Sequence, residues 1–77
     1  MDLAMAQRLV DRRKAAGLSQ EALAVQLGVS RQAVSKWETG AADPSTSNLL
    51  ALAKLFGVSA EELLRSVEER APEGENS

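Results

Sequence analysis

The chain has 77 residues, nine Lys plus Arg, eleven Asp plus Glu, no His and no Cys, and a net charge of −2. That length holds one small domain. The missing Cys and His exclude a disulfide scaffold, a thiolate or imidazole zinc site, a cysteine nucleophile and a histidine general base.

Helix punctuation is regular along the chain. Gly17, Gly28, Gly40 and Gly57 follow blocks of good helix formers, where a left-handed residue closes a helix. Ser19, Ser30, Ser45 and Ser59 precede such blocks, where an N-cap belongs. The spacing predicts five helices, over 3–16, 20–27, 31–38, 46–56 and 60–70. Ser59-Ala60-Glu61-Glu62 reads as a capping box at the start of the fifth. No alternating run of β-branched and aromatic residues competes, so the fold class is all-α. Residues 1–70 form the expected domain, and 71–77, with Pro72, Gly74 and acids, an expected disordered acidic tail.

Periodicity selects the core. Leu9 points inward from the first helix, and Leu18 follows its end. Leu23, Ala24 and Leu27 share a face, Val29 plugs the next turn, and Val34 and Trp37 are one turn apart. Leu49, Leu52, Ala53 and Phe56 line the fourth helix, and Val58, Leu63 and Leu64 complete the set. The longest apolar run, Leu49 to Ala53, ends at Lys54. A membrane span needs roughly 20 such residues. No membrane partner is expected, and the default compartment is the cytosol.

The second and third helices carry the functional signal. They are joined by Leu27-Gly28-Val29-Ser30, a turn whose length and central Gly force a sharp crossing. Ala24 leaves room for the third helix to approach. On that helix Arg31, Ser35, Gln32 and Lys36 share one arc of about 140°, opposite Ala33, Trp37 and Val34. The polar arc holds no Asp or Glu between residues 31 and 36. Arg pairs bidentately with guanine, Gln with adenine, and Lys with guanine or phosphate. Taken alone, the same residues also suit an ordinary solvated face. Trp37 could offer a stacking surface to bases, but its phase groups it with Val34 in the core.

These residues resemble the Cro/cI-type helix-turn-helix, or Xre, family of phage repressors and bacterial regulators. The resemblance rests on Gly17-Leu-Ser-Gln20, Leu23-Ala24, Leu27 through Gln32, Val34 through Glu38, Pro44, Leu49 through Ser59, and Leu63-Leu64. It implies a five-helix bundle whose third helix enters the major groove of double-stranded DNA. Arg31, Gln32, Ser35 and Lys36 then face base edges, while Ser19, Gln20, Ser30 and Thr39 approach phosphates. It further implies an Arg13–Glu38 ion pair tying the first helix to the end of the third. It also implies a homodimer built on the fifth helix, through Leu64 and Val67. Relatives often carry Leu where this chain has Arg12, whose stem could cover the core while its head stays wet. Many carry cations where this chain has Ala41-Ala42-Asp43-Pro44.

The expected function is a sequence-specific DNA-binding regulator, most naturally a repressor, with no catalytic residue, cofactor, metal or small-molecule ligand. A protein-interaction module, antitoxin-like or coactivator-like, is the alternative on the same fold. The acidic net charge opposes DNA binding only in bulk. Residues 1–40 carry +2 and residues 41–77 carry −4, so the acidity lies away from the third helix in sequence.

Overall fold

A computed structural model describes residues 3–63. Four helices are complete within them: α1 (Leu3–Ala15), α2 (Gln20–Leu27), α3 (Arg31–Thr39) and α4 (Thr46–Phe56). A fifth, α5, begins at Ala60 and is helical through residue 63. No strand occurs among the described residues. The rest of the expected fifth helix, with Leu64 and Val67, and the tail 71–77 lie outside the described residues.

One three-residue device links the helices. Gly17-Leu18-Ser19, Gly28-Val29-Ser30 and Gly57-Val58-Ser59 each close one helix and open the next. At Gly28 (φ 72°) the glycine N–H donates to the Val25 carbonyl at 3.2 Å, and the Val29 N–H to the Ala24 carbonyl at 3.0 Å. These are the two bonds of a Schellman closure. The same pair recurs at Leu18 and at Val58. The apolar residue after each glycine packs against the core. The serine then caps the next helix: Ser19 Oγ accepts from Ala22 N–H at 3.0 Å, Ser30 Oγ from Ala33 N–H at 3.1 Å, and Ser59 Oγ from Glu62 N–H at 2.9 Å. Each triplet therefore satisfies orphan carbonyls on one side and an orphan N–H on the other.

Packing centres on α3, which lies against both α1 and α2, while α2 also meets α4. Leu9, Leu23, Val34, Leu52 and Leu63 are the largest fully buried side chains. Trp37 and Ala53 join them, and Leu18, Leu27, Val29, Leu49, Phe56 and Val58 pack around the margin. Trp37 is a core residue, 5% exposed, so it presents no stacking surface. Pro44 is buried and anchors the connection from α3 to α4.

Three details differ from the sequence reading. α1 ends at Ala15, one residue earlier than expected, where the Gly17 and Leu18 N–H groups close it onto the Lys14 and Arg13 carbonyls. α3 gains Thr39, since Gly40, with φ 82°, closes it only afterwards. Met5 and Ala6 are also buried. Leu3, Ala4, Met5 and Ala6 are all apolar, so periodicity offers no contrast there to choose the inward face.

Candidate nucleic-acid interface

The outward face of α3 is set by its inward one. Val34 and Trp37 are held in the core, so rotation about the helix axis is fixed. Arg31, Gln32 and Lys36 are then exposed and Ser35 half-buried, on a helix that starts at a serine cap. All four carry donors and none is acidic, which matches the electronegative N7 and O6 edges of purines in a major groove. The N-terminus of α3 adds the partial positive charge of its unpaired N–H groups.

Beneath this face, a single carboxylate joins three helices. Arg13 Nε donates to Glu38 Oε2 at 2.7 Å and Arg13 Nη2 to Glu38 Oε1 at 3.2 Å. The third arm, Arg13 Nη1, donates to the Leu18 carbonyl at 2.8 Å. The two side chains are 12% and 4% exposed, so the pair is largely out of water. Gln20 Nε2 also donates to Glu38 Oε1, at 2.9 Å. The end of α1, the turn after it, the start of α2 and the end of α3 are thereby fixed to one another. A bidentate guanidinium–carboxylate pair sets angle as well as distance. The angle between α1 and α3 is therefore fixed by this pair.

The remaining sequence-predicted positions fall around this frame. Ser19 and Ser30 are exposed caps. A cap uses the hydroxyl oxygen and leaves its proton for another acceptor. Gln20 is half-buried at the first position of α2. Thr39 is exposed, and its Oγ1 donates to the Lys36 carbonyl at 3.2 Å, so that proton must rotate before it can meet a phosphate. The bond from Gln20 to Glu38 is the feature that sequence reasoning missed. A glutamine 18 residues before a glutamate carries no local signal, and only the crossing of α2 and α3 brings them together.

Arg12, next to Arg13, behaves differently. Its Nε is buried and makes no hydrogen bond. A guanidinium nitrogen lies where an apolar stem would fit without cost.

Comparison with known proteins bears on the whole arrangement. The helix-turn-helix family model matches residues 9–63. Over 62 residues the chain is 44% identical to the HTH-type transcriptional activator BcrR of Enterococcus faecalis, covering 80% of this chain and 30% of that protein. Over 61 residues it is 41% identical to the repressor protein C2 of Salmonella phage P22, covering 79% of this chain and 28% of that one. The chain thus spans under a third of the length of these two relatives. Among solved structures, the P22 c2 repressor bound to a synthetic operator superposes with a TM-score of 0.74 and 40% identity, over 82% of this chain and 94% of that one. The biofilm regulator SinR in complex with DNA superposes with a TM-score of 0.71 and 31% identity, over 78% and 97%.

Proposed function

Because the chain belongs to the helix-turn-helix family, we propose that it binds double-stranded DNA sequence-specifically and regulates transcription. The observation that carries this reading is the α3 face: three exposed donor side chains and no acid, on a helix whose rotation is locked by Val34 and Trp37. The relatives described above are a transcriptional activator, a repressor and a regulator crystallised with DNA, which supports the same reading.

In the proposed complex α3 lies in the major groove. Arg31, Gln32, Ser35 and Lys36 meet base edges, and Ser19, Gln20, Ser30 and Thr39 meet phosphates on either side. Two copies bind a two-fold site, their recognition helices roughly 34 Å apart, one turn of the duplex. Leu64 and Val67 are the proposed contacts between the copies. Control of transcription is steric or by contact, repression being the simpler outcome, and no catalytic step is assigned. No helix among the described residues is long and apolar enough to cross a membrane, and the proposed site of action is the cytoplasm. The alternative, a protein-interaction module, would dock through the acidic fifth helix and tail, most of which lie outside the described residues. The exposed Arg31, Gln32 and Lys36 of α3, with no acid among them, favour DNA.

Selection of bound duplexes from a random pool, followed by titration at low and moderate salt, tests the reading. The expected result is an enriched half-site, repeated about one helical turn apart, bound more tightly than random duplex at both salts. Equal affinity for selected and random duplex at every salt would sink it.

A further inference from the structure

Glu38 accepts one more hydrogen bond than its ion pair requires. Its Oε1 takes Gln20 Nε2 at 2.9 Å in addition to Arg13 Nη2. We propose that Glu38 is a positioning residue for the Gln20 side chain: it holds one Nε2 proton inward and so presents the other outward, to a phosphate of the bound duplex. The proposal rests on the DNA-binding reading above.

The chemistry of the carboxylate fixes the arrangement. A carboxylate paired with a guanidinium accepts and cannot donate. It therefore selects the amide flip of Gln20, with nitrogen toward Glu38 and the carbonyl oxygen away. A primary amide nitrogen carries two protons. One is committed to Oε1, and the second points away from Glu38. Gln20 is also the first residue of α2, so its backbone N–H has no partner within the helix. One residue can thus offer a phosphate two donors, a backbone and a side-chain N–H. Its side chain is ordered when the protein folds, and that ordering is not repeated on binding. Because the anchor is the last turn of α3, the phosphate contact and the base-reading face are set by the same carboxylate. A merely structural Glu38 would hold Arg13 and leave Gln20 indifferent.

The first test needs only the unaltered protein. The side-chain amide of Gln20 is followed in 1H–15N spectra before and after addition of the selected duplex. One proton should resist solvent exchange in the free protein and keep its resonance on binding, while the other shifts. Equal exchange of both protons, or loss of the protected proton on binding, overturns the proposal. The second test is a mutant cycle on the dissociation constant. Gln20→Ala should weaken binding about fivefold, equally for related sequences. In an Arg13→Met/Glu38→Met background, which leaves no unpaired buried charge, the same change should matter less than about twofold. Thermal melting confirms that each variant folds. Undiminished cost of Gln20→Ala in that background overturns the positioning role while leaving DNA binding intact. A folded wild type that prefers no duplex overturns the underlying reading instead.

Discussion

Arg12 and Arg13 are neighbours in sequence with opposite surroundings. Arg13 spends all three guanidinium nitrogens on acceptors, two at Glu38 and one at the Leu18 carbonyl. Arg12 has its Nε buried without any. A buried donor without an acceptor costs about 1–3 kcal/mol, and an apolar replacement of similar shape removes that cost. Arg12→Leu should therefore stabilise the domain by about 1 kcal/mol, raising its melting temperature by roughly 4–8 °C. A lowered melting temperature would show that the rest of the Arg12 head contributes more than its Nε loses. On the recognition face, Arg31→Ala or Gln32→Ala should cost about 1–3 kcal/mol of affinity and relax preference at one base step. Competition binding against single-base variants of the selected site checks this; uniform weakening across all variants would assign the residue to a phosphate. The Arg13–Glu38 pair was foreseeable only through family resemblance, since 25 residues separate the partners. The Gln20 bond to the same carboxylate was not foreseen at all.

At the level of elements, the Gly-apolar-Ser triplets explain why helix limits could be read so closely from the sequence. Each triplet is a local hydrogen-bonding solution, and local solutions depend on local residues. Gly28 tests this. Its φ of 72° is one that residues with a Cβ rarely adopt, yet an added Cβ would meet nothing within 4 Å. Gly28→Ala should thus cost about 1–2 kcal/mol from backbone strain alone, without a steric term. Gly28→Asn should recover part of the loss, because asparagine tolerates the left-handed region better. Midpoints of urea unfolding for both variants measure the difference, and equal midpoints for Ala and Gly would remove strain as the reason for this glycine. The inward face of α1 was less legible. Leu9 and Val10 form an apolar pair set between Gln7-Arg8 and Asp11-Arg12, but Met5 and Ala6 sit in a run without contrast, where packing chooses the face.

For the whole molecule, the charge division matters more than the total. The +2 half contains α1, α2 and α3, and the −4 half begins with the connection to α4. At physiological salt charges farther apart than about 8 Å are largely screened, and the α3 face itself carries no acid between residues 31 and 36. The loop Ala41-Ala42-Asp43-Pro44 brings no cation to the duplex. Binding should accordingly show a shallow dependence on salt, with specificity resting on base contacts more than on bulk charge. Ala41 is exposed. Ala41→Lys should steepen the slope of log K against log salt by about 0.9, the release of roughly one counterion. An unchanged slope would place this loop away from the phosphates.

The residues by themselves determined the helix count, the caps, the helix-turn-helix and which face of α3 is polar, because each follows from periodicity or from a turn of a few residues. Tertiary structure decided what those elements do to one another. It buried Met5 and Ala6, left Arg12 Nε without a partner, brought Arg13 and Gln20 to the Glu38 carboxylate, and set Arg13 against the Leu18 carbonyl. Contacts between residues 18 and 25 positions apart depend on how the helices cross, and a crossing angle is a property of the packed core that no short stretch of sequence contains.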